Sequence, residues 1–296
     1  MRDTHFVAIT DTSGNLPAAL IRKMDLKIVA FPYFIDGKEH TCPDTDSFDG
    51  DAFYARIREG LKVTTSQISP QQYMDLFEPW LQQGKDVVFV AMSSGISGSC
   101  GSARIGAEML LEKYPQRRIE VVDALGASLG EGLLALEAAR LRDRGLSAEA
   151  AARQLRDLAR RMFNVFTVDD LMHLRRGGRL SNMAAIVGMV LNIKPLLKGD
   201  EEGKIVSFAK VRGRKKAIEA LAERYDRLVV DPEAQTVGIA QAGCREDAEY
   251  LAQLLRRNKP PKEILTVEYE PVTGSHVGPG ALALFFVSHD QVRSEV

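Results

Sequence analysis

The chain has 296 residues, and its contents of 45% hydrophobic and 27% charged residues are typical of an ordinary soluble globular protein. Its 39 basic and 40 acidic residues nearly cancel, so the overall charge does not favour a nucleic acid or an anionic membrane as partner. The length predicts two domains, each able to bury a core of its own.

Membrane insertion, secretion and metal binding find no support in the sequence. No apolar run approaches the roughly 18 residues of a membrane-spanning helix, and the N-terminal residues lack the hydrophobic region of a signal peptide. Cys42, Cys100 and Cys244 lie far apart without a CxxC pair, which predicts reduced thiols rather than a disulfide framework or a zinc site. We therefore expect a cytoplasmic protein with no integral membrane segment, no metal and no nucleic-acid partner.

An oxygen-rich turn follows the first predicted strand. Residues 6–10 are apolar and predict a buried strand, and the turn DTSGNLP begins directly after it at Asp11. Asp11 lies where open α/β sheets place their ligands, although a cap on the next helix explains it equally well. Further predicted elements before residue 86 are a helix over 17–24, a strand over 27–33, a hairpin turn over 36–40, a helix over 47–61, a hydroxyl-rich loop over 63–70 and a helix over 70–81.

The most informative stretch runs from Asp86 to Tyr114. Residues 87–92 form an unbroken apolar run, typical of a strand buried on both faces of a parallel sheet. A serine- and glycine-rich loop over 93–99 follows, and apolar residues recur at helical spacing from Ser102 onward. Free backbone N–H groups and the positive end of the helix dipole meet in such a loop, which predicts a site for a carboxylate or a phosphate. Serines that merely cap the helix are the structural alternative.

Two phosphate-binding motifs do not fit this loop. No Gly-Lys-Ser/Thr follows it, as a Walker loop requires, and Gly95, Gly98 and Gly101 lack the spacing of the dinucleotide fingerprint. A phosphate- or nucleotide-binding module that uses the same loop without these motifs nevertheless stays open as an alternative function.

The loop also approaches the nucleophile elbow of α/β hydrolases. In GISGS, residues 95–99, the final serine stands where that motif needs glycine. A serine hydrolase that uses Ser97, His276 and an acid such as Asp11 or Asp123 is therefore a second alternative function.

The second half of the chain alternates strands and helices and changes character near residue 163, which predicts domains over 1–162 and 163–296. The segment Met183–Leu191 is apolar on every side, so it must be buried in a core or against an apolar ligand. The other predicted elements are a strand over 119–123, helices over 128–141 and 147–162, a strand over 163–168, a short helix over 169–174, a hairpin over 194–210, a helix to 225, a strand over 236–241, a helix over 245–256, a strand over 263–269, and a Gly/Pro loop over 270–282 that contains His276 and leads to an apolar run over 282–287.

Seven motifs in this order resemble the DegV family, whose characterised members are the fatty-acid-binding subunits of bacterial fatty acid kinase. The resemblance runs nearly end to end and implies two α/β domains, a Rossmann-like parallel sheet followed by an α/β domain with a mixed sheet, with a long-chain fatty acid in an apolar tunnel between them. The motifs are DTSGNLP (11–17), TSQ (65–67), SSGISGS (93–99), LRRGGRLS (174–181), LNIKP (191–195), KVRGRKK (210–216) and GSHVGPG (274–280).

The resemblance also implies roles for individual residues. Thr65 and Ser97 match the carboxylate ligands of the family, and His276 matches the residue that completes their hydrogen-bond network. Further ligand-binding candidates are Ser94, Gly98 and Ile68. Ile68 replaces a proline common in relatives, Asn15 a usual acidic residue, and Cys100-Gly101 a common Tyr-Gln pair.

A separate partner is implied as well. In the family, a DhaK-like ATP-binding kinase subunit phosphorylates the bound carboxylate to an acyl phosphate, a step of phospholipid metabolism, so this chain is expected to have no catalytic residue and no cofactor. The candidate kinase-facing residues are Arg176, Arg179, Arg212 and Arg214. The apolar segment Met183–Leu191 is a candidate for the tunnel wall together with Phe31, Phe34 and Ile68, although each of these residues, taken individually, is better explained as an ordinary core residue.

Overall fold

The structure of the protein, a computed structural model, describes residues 6–181, 192–289 and 292–294. Strands and helices alternate in this part of the chain, and the predicted α/β class is confirmed. The strands are β1 (Phe6–Asp11), β2 (Lys27–Val29), β3 (Pro32–Ile35), β4 (Lys38–Thr41), β5 (Val63–Thr65), β6 (Asp86–Ala91), β7 (Ile119–Asp123), β8 (Met162–Thr167), β9 (Ile193–Gly199), β10 (Ile205–Arg212), β11 (Thr236–Gln241), β12 (Glu263–Glu268) and β13 (Leu282–Val287). The helices are α1 (Ala18–Lys23), α2 (Gly50–Arg58), α3 (Pro70–Gln82), α4 (Ser99–Lys113), α5 (Leu129–Asp143), α6 (Ala148–Arg161), α7 (Leu171–Arg176), α8 (Arg214–Leu228), α9 (Arg245–Asn258) and α10 (Pro271–Val277).

The first sheet is parallel. Among the described residues its order is β2-β1-β6-β7, and each neighbouring pair runs in the same direction. The inner strands β1 and β6 are almost entirely buried, as their unbroken apolar sequences predict for strands covered on both faces. The turn after β1 and the serine-rich loop after β6 therefore both lie at the carboxyl-terminal edge of this sheet, where α/β folds place ligands.

The second sheet is mixed, as expected. Its order over the described residues is β10-β9-β8-β13-β11-β12, and β11 and β12 are parallel while the other neighbours are antiparallel. The predicted hairpin is confirmed as β9 and β10. Helix α5 packs against β1 and β6 of the first sheet and against β11 and β13 of the second, so it lies between the two sheets. Strand β8 begins at Met162, and the domain boundary at that residue stays a prediction.

A small antiparallel sheet, with the order β4-β3-β5, corrects two predictions. The stretch 27–33, predicted as one strand, is divided between β2 of the parallel sheet and β3 of this one. Pro32 has no N–H to donate and begins β3, so it separates the two strands. The predicted loop before α3 begins instead with β5, whose Thr65 pairs with Tyr33.

The Gly/Pro segment 270–282 was predicted as a loop, and that prediction is wrong because it contains α10. Pro271 occupies the first helical position, where its missing N–H is harmless. The Glu270 side chain accepts hydrogen bonds from the N–H groups of Val272 and Thr273 and so caps the helix. His276 is therefore held in the last turn of a helix.

Helix α2 begins at Gly50 rather than at residue 47, because Asp49 caps it by accepting from the N–H of Ala52.

The apolar segment Met183–Leu191 lies outside the described residues. Within the described ranges, none of the helices combines the length and the apolar character needed to cross a membrane.

Candidate functional site

A cavity of about 450 Å³, called the inner cavity below, lies at the carboxyl-terminal edge of the parallel sheet and extends to the mixed sheet. Small-molecule sites typically have volumes of roughly 300–1,000 Å³. Polar side chains contribute to its wall together with a larger set of apolar ones, so a ligand with an apolar body and a polar end would fit it. The apolar lining residues are Phe31, Met92, Ile96, Leu125, Ala127, Phe166, Leu174, Ile205, Val272, Val277 and Phe285.

Two polar residues from distant parts of the chain meet in this wall. Thr65 Oγ1 lies 2.9 Å from His276 Nε2, and both residues line the inner cavity. Strand β5 carries Thr65, and α10, which packs against β3 and β5, carries His276. If Nε2 bears the proton and donates it to Thr65 Oγ1, the hydroxyl proton of Thr65 can point to a ligand oxygen.

The imidazole of His276 is neutral at pH 7. Burial lowers its pKa from 6.5 to about 4, and the electrostatic effects of Arg179 and His173 act in the same direction. His276 therefore supplies hydrogen bonds without a charge. The positive charge at this part of the wall belongs to Arg179, which lines the inner cavity and donates through Nη1 to the carbonyl oxygen of Gly177 at 2.6 Å.

The serine-rich loop reaches the same cavity from the other side. Ser94, Ser97 and Gly98 all line it. Ser97 Oγ also accepts from the N–H of Ser99 at 3.2 Å, so this hydroxyl stabilises the first turn of α4. Because a hydroxyl that accepts one hydrogen bond can still donate its own proton, capping and ligand binding are compatible at Ser97.

The apolar wall candidates are placed differently from one another. Phe31 lines the inner cavity, whereas Ile68 and Phe34 are not among the described residues that line it. Ile68 is fully buried in the core that also contains Phe89, and its N–H donates to Ser99 Oγ at 3.2 Å. Ile68 thus contributes to packing beneath the serine-rich loop.

The turn after β1 holds the serine-rich loop through a buried carboxylate. Asp11 Oδ2 accepts from the N–H of Met92 at 3.2 Å, at the point where β6 ends. Ser13 Oγ lies within hydrogen-bond distance of both Asp11 and Glu131, although a hydroxyl carries a single proton. Burial raises the pKa of Glu131 well above its usual range, and the negative charge of Asp11 adds to this. Glu131 is therefore the protonated member of the pair and donates to Ser13, which donates to Asp11.

The same turn holds α10. Asn15 Oδ1 accepts from the N–H of Glu270 at 2.8 Å, and Asn15 Nδ2 donates to Ser128 Oγ at 2.7 Å. The Glu270 carboxylate accepts from the N–H groups of Val272 and Thr273, at 2.6 Å each. One turn, residues 11–15, thereby positions both the loop that carries Ser97 and the helix that carries His276.

Sequence reasoning missed three of these positioning residues: Asn15 as a clamp, Glu131 and Glu270. Glu131 gives a usable signal, because it is an acidic residue within the otherwise apolar segment LGEGLLAL at the start of α5. Glu270 directly precedes a proline, a pattern typical of a capped helix start.

The predicted partner-surface arginines do not form one surface of equivalent residues. Arg176 and Arg212 are exposed, and Arg179 is partly buried beside the inner cavity. Arg214 is largely enclosed and forms ion pairs with Asp247 at 2.8 Å and with Asp169 at 3.5 Å. Arg214 is therefore explained as a structural residue at the start of α8.

The geometry gives no support to a hydrolase relay. His276 Nε2 pairs with Thr65, and Ser97 Oγ accepts from the N–H of Ser99. Asp11 is engaged with Ser13 and Met92, and Asp123 accepts from the N–H groups of Ser94 and Leu125. Neither acid is described in contact with His276.

The chain is similar to known proteins over nearly its whole length. The family model described as "Uncharacterised protein, DegV family" matches residues 5–289. A DegV domain-containing protein of Clostridium perfringens is 38% identical over 282 residues, which cover 95% of this chain and 97% of the relative.

Solved structures of similar proteins extend the comparison. A DegV family protein from Thermus thermophilus, whose structure is described as showing fatty acid binding, is 29% identical with a TM-score of 0.85, covering 96% of this chain and 100% of that one. A fatty acid binding DegV family protein from Streptococcus agalactiae is 30% identical with a TM-score of 0.84, covering 97% and 100% of the two chains.

Proposed function

The chain belongs to the DegV family, and from this premise we propose that it binds a long-chain fatty acid in the inner cavity, with the carboxylate at Thr65, Ser97 and His276. The observation that carries the proposal is the 2.9 Å contact between Thr65 and His276 in the wall of a largely apolar cavity. The similar proteins from Thermus thermophilus and Streptococcus agalactiae are described as fatty-acid-binding, which supports it.

Affinity and orientation come from different parts of this ligand. Burying about sixteen methylene groups at ~0.8 kcal/mol each gives a gross ~12 kcal/mol before ordering costs. Each hydrogen bond to the carboxylate adds about 1.5–3 kcal/mol. The apolar wall therefore supplies most of the affinity, while Thr65, Ser97 and His276 decide which end of the ligand lies at the polar wall.

We further propose that the chain presents this carboxylate to a separate ATP-dependent kinase and is not itself an enzyme. A carboxylate oxygen attacks the terminal phosphorus of ATP, the bond from that phosphorus to the bridging oxygen breaks, and ADP leaves with that oxygen, so the products are an acyl phosphate and ADP. The absence of a relay around Ser97 in the described contacts favours this division of labour over hydrolysis.

The decisive experiment is mass spectrometry of an organic extract of purified protein that was never exposed to detergent. A stoichiometric long-chain fatty acid is the expected result, and its mass identifies the preferred chain. Protein that is empty and also fails to bind added fatty acids would contradict the proposal. Labelling of Ser97 by a fluorophosphonate probe would instead support the hydrolase.

The kinase contact is tested separately with Arg212→Glu. Arg212 is exposed and is not among the described residues that line the inner cavity, so fatty-acid affinity should not change while phosphorylation by the kinase falls. Arg153→Glu is the matched control, because its side chain is 71% exposed on α6. Equal phosphorylation of both variants and the wild type would remove Arg212 from the contact surface.

A further inference from the structure

The wall of the inner cavity contains one polar side chain that the proposed carboxylate site does not use. Asn164, in the middle of β8, lines the cavity and is only 7% exposed. Neither its amide oxygen Oδ1 nor its amide nitrogen Nδ2 has a hydrogen-bond partner among the described residues. A buried amide without a partner costs free energy, so we expect the molecule that fills the cavity to supply one.

The strand pattern shows that this position belongs to an apolar wall. Side chains alternate between the two faces of a strand, and Phe163 and Val165 belong to the apolar core that also contains residues of α8 and α9. Asn164 and Phe166 share the opposite face, and both line the inner cavity. An asparagine here gives up the apolar contacts that a leucine would make with an acyl chain, which indicates a use for its amide.

Two glycines make room for this amide. A Cβ atom on Gly126 would overlap Asn164 Nδ2, and a Cβ atom on Gly130 would overlap Asn164 Oδ1. The amide therefore packs directly against backbone on one side. Because Asn164 also lines the inner cavity, the cavity is the side from which a hydrogen-bond partner can reach it.

Asn164 lies away from the proposed carboxylate site, which is on β5 and α10. Strand β8 ends at Thr167, which pairs with Leu282 and leads to α7, and α7 packs against α10. Asn164 pairs with Phe285, three residues farther along both strands, which is a distance of roughly 10 Å. The amide therefore faces the middle of an acyl chain whose carboxylate is held at α10.

The chemistry of the amide limits the group that it can pair with. The amide is uncharged, and the only charged side chain among the described lining residues is Arg179, beside the carboxylate site. A second carboxylate on the ligand would be buried at Asn164 without a counter-charge, which is costly. A hydroxyl can accept from Nδ2 and donate to Oδ1, so it suits either end of the amide, whereas a carbonyl suits only the nitrogen.

We propose that Asn164 makes the inner cavity selective for long-chain fatty acids that carry a hydroxyl group near the middle of the chain. This rests on the proposed function, because the carboxylate must first be held at Thr65, Ser97 and His276. With an unsubstituted acid, methylene groups cover the amide and leave it unpaired. With a mid-chain hydroxy acid, the hydroxyl pairs with the amide while the rest of the chain keeps its apolar contacts.

The test compares octadecanoic acid with three derivatives that each carry one hydroxyl, at carbon three, ten or twelve. Titration calorimetry measures the affinity of each acid for the wild type, Asn164→Leu, Asn164→Ala and the control Thr167→Val. Thr167 is a matched control, because its hydroxyl is also buried and unpartnered in β8 but is not among the described residues that line the inner cavity. Thermal melting identifies which variants are folded, and Asn164→Ala replaces Asn164→Leu if leucine prevents folding.

The wild type and Thr167→Val should bind at least one of the two mid-chain hydroxy acids about threefold to tenfold more tightly than octadecanoic acid, as expected for one net hydrogen bond. This preference should disappear or reverse in the Asn164 variants, since the hydroxyl then has no amide to pair with.

The inference is overturned if neither mid-chain hydroxy acid binds the wild type more tightly than octadecanoic acid, or if only the carbon-three isomer does. A preference that survives in the Asn164 variants, or that Thr167→Val removes equally, overturns it too. Failure of all four acids to bind the wild type contradicts the proposed function instead.

Discussion

The serine-rich loop after β6 and the helix α10 face the same inner cavity, yet different chemistry holds them in place. The loop is fixed where β6 ends by Asp11, whose carboxylate belongs to a fully buried chain that runs through Ser13 to Glu131. Helix α10 is fixed by Glu270, which accepts hydrogen bonds from three groups of the first turn, two N–H groups and the Thr273 hydroxyl. Both depend on the turn 11–15.

The difference lies in how each carboxylate responds to pH. On the loop side, burial raises the pKa of both Asp11 and Glu131, and Glu131 carries the proton of the pair while Asp11 accepts from the N–H of Met92. Burial raises the pKa of Glu270 from 4.5 to about 7, so the carboxylate that caps α10 gains a proton just below neutrality. The two sides therefore differ: Asp11 lies beside a protonated Glu131, whereas Glu270 changes its own protonation just below neutrality.

The largest effect is expected for Asp11→Ala. The substitution leaves the N–H groups of Ser13 and Met92 and the Ser13 hydroxyl without their acceptor, at about 1–3 kcal/mol for each buried group. We expect the free energy of unfolding, measured with denaturant, to fall by about 4 kcal/mol. Asp75→Ala, at an exposed position of α3, should change it by less than about 0.5 kcal/mol. Similar losses in the two variants would contradict the role of Asp11 as an anchor.

The second largest effect is expected in how the free energy of unfolding depends on pH, through Glu270. Because the folded state binds this proton more tightly than the unfolded state, Glu270 lowers stability progressively from pH 4.5 to about 7. His276 acts in the opposite sense: its pKa is lowered from 6.5 to about 4, so its contribution raises stability as the pH rises from about 4 to 6.5. The two contributions largely cancel in the wild type between pH 4.5 and 6.5.

Glu270→Gln removes one of these opposing contributions. The free energy of unfolding of the variant, relative to the wild type, should therefore increase by about 3 kcal/mol between pH 4.5 and 7. Denaturant unfolding at a series of pH values measures it. A difference between the two proteins that stays constant across this range would show that Glu270 does not titrate there.

A smaller effect is expected where the serine-rich loop touches the β9–β10 hairpin. A Cβ atom on Gly95 would lie 2.6 Å from the carbonyl oxygen of Glu202 and 2.8 Å from the nitrogen of Lys204, both of them backbone atoms. Gly95→Ala should therefore displace the loop and cost about 2 kcal/mol of stability. Gly101→Ala is the control, since its Cβ meets nothing within 4 Å inside α4, and it should stabilise the protein by about 0.5–1 kcal/mol. Equal effects of the two substitutions would contradict the close contact at Gly95.

These anchors mark the limit of what the sequence could predict. The apolar run of β6 and the serines after it indicated a strand followed by an anion site, because strand burial and loop composition are local properties. The contact between Thr65 and His276 could not be derived from local patterns, since 211 residues separate the two positions. Only the resemblance to a family placed them together.

The elements predicted wrongly show the same limit. The segment 270–282 contains enough glycine and proline to predict a loop, but the Glu270 cap and the clamp from Asn15 make it begin as a helix. Thr65 belongs to a strand because Tyr33 pairs with it, and that pairing depends on the chain leaving the parallel sheet before Pro32. In each case a contact from a distant part of the chain overrides the local preference.

The smallest effect is expected on the affinity for hexadecanoic acid in variants of His276, which test whether the residue acts through a charge or through a hydrogen bond. Because the ring is neutral near pH 7, a neutral amide can replace it, so His276→Gln should bind hexadecanoic acid within about threefold of the wild type. His276→Ala loses one hydrogen bond and should bind the acid about tenfold more weakly than the wild type. Titration calorimetry measures the affinity of both variants, with Thr65→Ser as a control that keeps the hydroxyl.

NMR of the imidazole, assigned by comparison with the Gln variant, should show no titration between about pH 5.5 and 8. A ring that titrates near 6.5, together with a Gln variant as weak as the Ala variant, would mean that a positive imidazolium holds the ligand. The helix side would then contribute charge where the serine-rich loop contributes only hydroxyl and N–H groups.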